Sequence, residues 1–294
     1  KILFFGNERL VSGLKSTEAP VLRGLIERGY TVSAIISHHH DTRSRNNREL
    51  EVAEIGKQYN IPVLLPNKPT EIIDQIVGFN AEAAVLVAYG RIIPQRVIDL
   101  FPKGIVNIHP SLLPKYRGPT PIESAILNGD TETGVSLMQL TAGMDSGPIF
   151  GQTQLSLKGT ENKFDIYNQL SQKGAELLFT LLPPILDGSL QPTPQDEINT
   201  TYCQLLSKED ALLNFAELTA VEAERRIRAF LGFPKTKATI AGHTVIITKA
   251  HVTSAGGTLL DIPCKGGDFL SIDELIAPSG RSMTGRAFLQ GYAA

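Results

Sequence analysis

A doubly wound, mostly parallel α/β sheet followed by a small β domain is the fold class the sequence predicts, on three observations. Strand-like and helix-like segments alternate through the first half of the chain, the pattern of a parallel sheet with crossover helices. Strand-like segments such as "VSAII" and "AAVLVA" are apolar throughout rather than alternating, as expected where helices cover both faces of a sheet. Beyond about Gln204 the pattern changes to short strands separated by Gly-rich turns, which suggests a small barrel or sandwich.

Taken in order, strands are expected at Ile2 to Phe5, Thr31 to Ser37, Val63 to Leu65, Ala83 to Ala88 and Ile105 to His109. Helices are expected between them, at Glu18 to Arg28, Arg48 to Tyr59, Pro69 to Phe79 and Pro94 to Leu100. "GPTPIESAILNGD" reads as a short helix closed by Asn128-Gly129, and "ETGVSLMQL" and "GPIFGQTQLSL" as two strands paired antiparallel. A long amphipathic helix runs from about Phe164 to Leu182, with Ile166, Leu170, Leu177, Leu178 and Leu181 apolar, and Pro183-Pro184 should end it. "DGSLQPTPQDEINTTY" has little that packs and reads as a linker. The later chain offers a helix, "TAVEAERRIRAF", and strands in "ATIAGHTVIITKAHV", "GTLLDI" and "DFLSIDEL". The resulting division is a first domain over 1–186, a linker over 187–204 and a second domain over 205–294.

Composition narrows the function classes. A 294-residue chain with 42% apolar and 20% charged residues is ordinary for a globular protein, and a net charge of −2 gives no global pull toward nucleic acid or anionic membrane. Cys203 and Cys264 are isolated, which favours neither a disulfide scaffold nor a zinc site and fits a reduced, cytoplasmic setting. No apolar run reaches the roughly 18 residues of a membrane helix, and the opening "KILFFG" lacks the plan of a secretory peptide. No G-x-G-x-x-G follows the first strand and no Walker lysine motif occurs, so neither a dinucleotide nor an ATP site is expected. The triple histidine at His38 to His40 reads as a solvated loop rather than a metal site, because adjacent side chains diverge and no carboxylate or cysteine set accompanies them.

The chemistry is concentrated in "GIVNIHPSLLPKYRGPTPI", Gly104 to Ile122. Asn107 and His109 interrupt an apolar strand two residues apart and so share one face, while Pro110 ends the strand. Both therefore sit at the carboxyl edge of the sheet, where ligands bind in open α/β folds. A lone histidine there is more often a satisfied core residue; the paired Asn and the adjoining "SLLPKYRG" reverse that preference. That loop combines a serine hydroxyl, two leucines and a rigid proline, suited to an apolar pocket with a few polar anchors. An imidazole working near neutral pH is commonly oriented by a carboxylate, and Asp145 in the D-x-G turn of "TAGMDSGPI" supplies one.

The whole stretch "NIHPSLLPKYRGPTPIESAILNGDTETGVSLMQLTAGMDSGPI" resembles the formyltransferases that use 10-formyltetrahydrofolate. The resemblance implies a Rossmann-like catalytic domain over 1–186, with Asn107, His109 and Asp145 as its catalytic trio and Ser111, Leu112, Leu113 and Pro114 as folate contacts. "LLSKEDALLNF", "RRIRAFLGFPKTKATIAGHTVIITKA" and "GRSMTGRAFLQGY" further resemble the branch whose acceptor is methionyl initiator tRNA, in which an OB-like barrel binds the tRNA. Resemblance to that branch implies formyl transfer to the methionyl α-amino group, with no metal, no membrane partner and a monomeric enzyme. Asn107 and a protonated His109 would bind the tetrahedral oxyanion, and Asp145 would hold the charge on His109 and help move the proton.

Alternatives are a formyltransferase acting on an amino sugar nucleotide and a non-catalytic folate- or RNA-binding module. Arg225 to Leu260 contains no Asp or Glu but carries Arg225, Arg226, Arg228, Lys235, Lys237 and Lys249, a basic stripe that favours the tRNA reading. Two places depart from the family pattern. "SHHHDTRSRNNRE" replaces a tRNA-contacting insertion near "QPDRPAGRG", with Arg43 and Arg45 keeping part of its charge, and "FGNERLVSG" replaces the usual "GTPxFA" after the first strand.

Overall fold

The computed structural model describes residues 1–14, 16–38 and 50–292. These divide into two compact units, one of Lys1–Pro121, Glu132–Ser156 and Tyr167–Cys203, the other of Ile122–Thr131, Leu157–Ile166 and Gln204–Ala294. The loop read from His38 to Arg48, with Arg43 and Arg45, lies outside the described residues apart from His38. His38 itself is 5% exposed and its ring meets Tyr89 edge-on at 5.8 Å, so the first histidine of the triple is packed rather than solvated.

The first unit is built on a seven-stranded sheet. Its strands are β1 (Ile2–Gly6), β2 (Val32–Ile36), β3 (Val63–Leu64), β4 (Ala83–Val87), β5 (Ile105–His109), β6 (Glu132–Gln139) and β7 (Ile149–Ser156). They lie in the order β3-β2-β1-β4-β5-β6-β7, parallel from β3 to β5. Strand β6 runs antiparallel to β5, and β7 antiparallel to β6, as the sequence suggested for the last pair. Every residue of β1, β4 and β5 is buried, which is why β1 and β4 are apolar runs and β5 is apolar apart from Asn107 and His109.

Helices α1 (Pro20–Glu27), α2 (Glu51–Gln58), α3 (Ile73–Gly78, entered by a 3-10 turn over Pro69–Ile72) and α4 (Gln95–Ile98) follow β1 to β4 in turn. Leu3, Phe5, Leu86, Tyr89 and Ile105 form one apolar cluster with Val97 and Phe101. α5 (Pro121–Asn128) and α6 (Lys163–Asp187) complete the helices of this half of the chain. Ile108 and Val135 lie against the backbone of Gly174 in α6, so the even-numbered side of β5 faces that helix and Asn107 and His109 face away from it.

One helix boundary differs from the expectation. α6 continues past Pro183 and Pro184 to Asp187. Proline removes backbone N–H donors from the helix. Here Leu182 and Ile185 on either side are buried at 0% and 5% exposure, and their burial holds the turn in helical form. The stretch after α6 is also tied down: Thr193 pairs with Ile149, and Arg117 with Tyr202.

In the second unit, α7 (Ala220–Ala229) starts at a capping box in which Thr219 and Glu222 satisfy each other's backbone N–H groups, a device worth about 1 kcal/mol. The strands are β8 (Lys237–Ile240), β9 (His243–Thr253), β10 (Asp261–Pro263), β11 (Phe269–Ile276) and β12 (Ser282–Thr284), and α8 (Gly285–Tyr292) closes the chain. The sheet is antiparallel in the order β10-β11-β9-β8 with β12 on β11, and register shifts around Glu274 curl it in the manner of a small barrel. Its core holds Ala223, Ile227, Val245, Ile247, Leu270, Leu275 and Phe288. "GTLLDI" is strand only from Asp261, because the Asp261 carboxylate accepts from the N–H groups of Gly257 and Thr258 and folds the preceding residues into a turn.

The second unit also buries an ion pair, Lys163 Nζ to Glu123 Oε1 at 3.4 Å, with Lys163 donating as well to the Phe233 carbonyl at 3.0 Å. Burial pushes Glu123 up and Lys163 down despite their mutual attraction. Among the described residues no helix is long and apolar enough to cross a membrane.

Candidate active site

The carboxyl end of β5 carries the two polar residues singled out in the sequence. Asn107 and His109 are each 5% exposed, and they lie opposite Met138 and Ser136 of β6. No hydrogen bond of the Asn107 amide is found among the described residues, which leaves its donors for a bound molecule.

The ring of His109 is held by a hydrogen bond on one side and faces a carboxylate on the other. Nε2 lies 2.9 Å from the carbonyl oxygen of Tyr116. A carbonyl only accepts, so Nε2 carries the proton and donates. Nδ1 then faces the Asp145 carboxylate, with 3.7 Å to Oδ2. That separation exceeds a hydrogen bond, so the two groups face each other without one between them. The sequence-predicted His109 and Asp145 are thus brought together, with Asn107 two residues away on the same face.

Loop geometry produces this arrangement. Tyr116 and Asp145 both adopt left-handed backbone, at φ 61 and φ 45, conformations that side-chain-bearing residues rarely take and that cluster at functional sites. In Tyr116 the result is a carbonyl aimed at His109; in Asp145 it is a carboxylate whose Oδ2 accepts from Gly118 N–H at 2.8 Å. Two glycines are required by contact. A Cβ at Gly147 would meet Gln139 O at 1.8 Å, and one at Gly118, where φ is +119, would meet Cys203 O at 2.6 Å.

The predicted folate-contacting segment splits in character. Ser111 is fully buried and its hydroxyl donates to Lys115 O at 2.6 Å, so it holds the loop's shape instead of offering a polar anchor outward. Leu113 N–H donates to Ser136 Oγ and Leu113 O accepts from Gln152 Nε2, and the Leu113-Pro114 peptide is cis. Leu112 packs over Gly134 of β6. Leu113 and Pro114 line a groove of about 330 Å³ with Ile149, Phe150, Gln152 and Gln195.

Sequence reasoning missed the residues that tie the Asp145 turn to the segment after α6. Arg117 is 1% exposed; its Nε donates to Gln195 Oε1 at 3.0 Å and its guanidinium grips the Glu197 carboxylate at 3.1 and 2.8 Å. Gln195 in turn donates to the carbonyls of Asp145 and Gly147. The one signal was the "QDE" in an otherwise nearly uncharged linker, since a buried arginine requires such a partner.

In the second unit the basic residues fall into two groups. Arg228 is engaged by Glu224 at 2.6 and 2.8 Å and by Glu161 O, and Arg225 lies over the backbone of Gly129. Lys235, Lys237 and Lys249 are exposed.

Comparison with known proteins agrees along the whole chain. Residues 9–182 match the family "Formyl transferase" and residues 205–293 match "Formyl transferase, C-terminal domain". The methionyl-tRNA formyltransferase of Chloroflexus aurantiacus is 33% identical over 312 residues, which takes in 100% of this chain and 97% of the relative. Among solved structures, the N-formyltransferase from Helicobacter canadensis in complex with folinic acid and dTDP-3-aminofucose superposes with a TM-score of 0.70 at 19% identity, over 92% of this chain and 98% of that one. HypX from Aquifex aeolicus in complex with tetrahydrofolic acid does so with a TM-score of 0.68 at 17% identity, over 99% of this chain and 47% of that one.

Proposed function

Because the chain belongs to the formyl transferase family, we propose that it transfers the formyl group of 10-formyltetrahydrofolate to the α-amino group of methionyl initiator tRNA, for translation initiation. The observation that carries the reading is the His109–Asp145 pair at the end of β5, in a chain that runs the length of a methionyl-tRNA formyltransferase. No metal is needed for this chemistry.

The methionyl amine attacks the formyl carbon, forming a C–N bond and a tetrahedral oxyanion. Collapse breaks the bond to the folate nitrogen, which takes up a proton as the amine loses one. Asn107 donates to the oxyanion from its unengaged amide. With Nε2–H committed to the Tyr116 carbonyl, Nδ1 is the working nitrogen of His109, and it faces the Asp145 carboxylate. The same pair provides the path for the proton from the amine to the leaving nitrogen. Ser111, Leu112, Leu113 and Pro114 shape the folate side, with Leu113 and Pro114 on the groove wall.

In this reading 1–186 is the catalytic domain, 187–204 the linker and 205–294 the tRNA-binding domain, and the enzyme acts as a monomer in the cytoplasm. The test is transfer of labelled formyl from 10-formyltetrahydrofolate to methionyl initiator tRNA, with methionyl elongator tRNA as the control acceptor. Formylation of the initiator alone is expected. Transfer to neither tRNA by a folate-binding protein would overturn the acceptor and turn attention to amino sugar nucleotides.

A further inference from the structure

The strap after α6 carries one side chain that grips both loops of the site. Gln195 Nε2 donates to the carbonyl oxygens of Asp145 at 2.8 Å and Gly147 at 2.7 Å, while Oε1 accepts from Arg117 Nε at 3.0 Å. The orientation of the amide is set by its neighbours, because carbonyls only accept and a guanidinium only donates. Arg117 sits between Tyr116, whose carbonyl fixes His109, and Gly118, whose N–H fixes the Asp145 carboxylate. Gln195 therefore ties the turn that carries Asp145 to the loop that orients His109.

We propose that Gln195 is a positioning residue for formyl transfer, setting the spacing between Asp145 and His109 through backbone carbonyls and the Arg117 loop. The proposal rests on the roles that the formyl-transfer reading gives to His109 and Asp145. It uses the Asp145 backbone alone, so the carboxylate stays available to Gly118 and His109. Another side-chain attachment of the strap, Glu197 to Arg117, touches neither residue of the pair and serves as the matched structural control.

Gln195→Glu keeps an acceptor for Arg117 but turns a carboxylate oxygen toward two carbonyls. Glu197→Gln loosens the same strap and leaves the Gln195 fork intact. Steady-state kcat and KM for both substrates, thermal midpoint, and the ring ¹⁵N resonances of His109 are measured for each variant and wild type. Gln195→Glu is expected to lose about 10- to 100-fold in kcat with both KM values within about 3-fold, the scale of a small misplacement of reacting groups, and to move the His109 resonances. Glu197→Gln is expected to stay within about 2-fold of wild-type kcat while its thermal midpoint falls, because the buried Arg117 guanidinium loses its charged partner. Equal kcat losses in the two variants, or unchanged kcat and unmoved His109 resonances in Gln195→Glu, would overturn the proposal. Should wild type transfer no formyl group, the functional reading falls, and the His109 resonances still decide whether Gln195 positions the ring.

Discussion

Asp145 meets two demands with one carboxylate: Oδ2 accepts from Gly118 N–H and faces His109 Nδ1. The two can be separated chemically, because an asparagine carbonyl still accepts from Gly118 while carrying no charge. Asp145→Asn should therefore retain the fold and the loop contact yet lose about 10²- to 10⁴-fold in kcat, the range of general acid–base and charge-orienting effects. Rates near wild type, with circular dichroism unchanged, would remove the charge from the mechanism. The placement of Asn107 and His109 was legible in the sequence for a physical reason, since polar side chains two apart at the end of an apolar strand share one face at the sheet edge, and the D-x-G turn marked the loop that carries Asp145. The Tyr116 carbonyl was not legible, since every residue has a carbonyl and only φ 61 aims this one. Gln195 was marked only by the charged pair beside it, because a polar residue in a Pro- and Thr-rich linker gives no periodic signal. Ser111 misled in the opposite direction: a hydroxyl that reads as a ligand anchor is spent on Lys115 O within its own loop.

Elements are held in place by groups the pattern of apolar residues does not mark. α1 has Ala19 at its N-cap with no side-chain cap and Pro20 at its start; the Glu8 carboxylate fills that role from β1's end, accepting from Val21 N–H at 3.0 Å and Leu22 N–H at 2.7 Å. Glu8 lies in "FGNERLVSG", the segment that departs from the family pattern, so the departure was visible and its purpose was not. The carboxyl is 2% exposed, and burial pushes it up to about 7 in spite of those two bonds. Its folded value thus lies above its unfolded value of 4.5, so the folded state keeps a proton that the unfolded state releases. Stability should then fall as pH rises from about 4.5 toward 7 and flatten above, by up to about 3 kcal/mol from this group. Urea unfolding at closely spaced pH values, compared with Glu8→Gln, checks this; a Glu8→Gln profile parallel to wild type across that window would refute it. The same limit of pattern reading explains α6, where paired prolines read as a stop but buried Leu182 and Ile185 carry the helix on.

The charge of the whole molecule, −2, provides no general attraction for a polyanion, so affinity for tRNA has to come from a local track. The sequence marked that track as a stripe of arginines and lysines without distinguishing among them. Packing does distinguish them: Arg228 is committed to Glu224 and Glu161, and Arg225 to the backbone of Gly129, whereas Lys235, Lys237 and Lys249 stand in solvent. On the proposed function, phosphate contact falls to the exposed lysines, and Arg225 and Arg228 are held by contacts within the protein. Phosphate contacts release counterions, so each one adds about 0.7 to 0.9 to the slope of log affinity against log salt. Replacing all three lysines by glutamine should lower that slope by about 2 to 3 for initiator tRNA and raise KM for the tRNA, with kcat at saturating tRNA little changed, since the Asp145–His109 pair is untouched. Arg228→Gln should act differently. It leaves the Glu224 carboxylate without its partner and should lower the thermal midpoint while the salt slope stays near wild type. A salt slope that the lysines do not move, or that Arg228→Gln moves as much as they do, would mean that the tRNA takes another surface and that the arginines are more than packing.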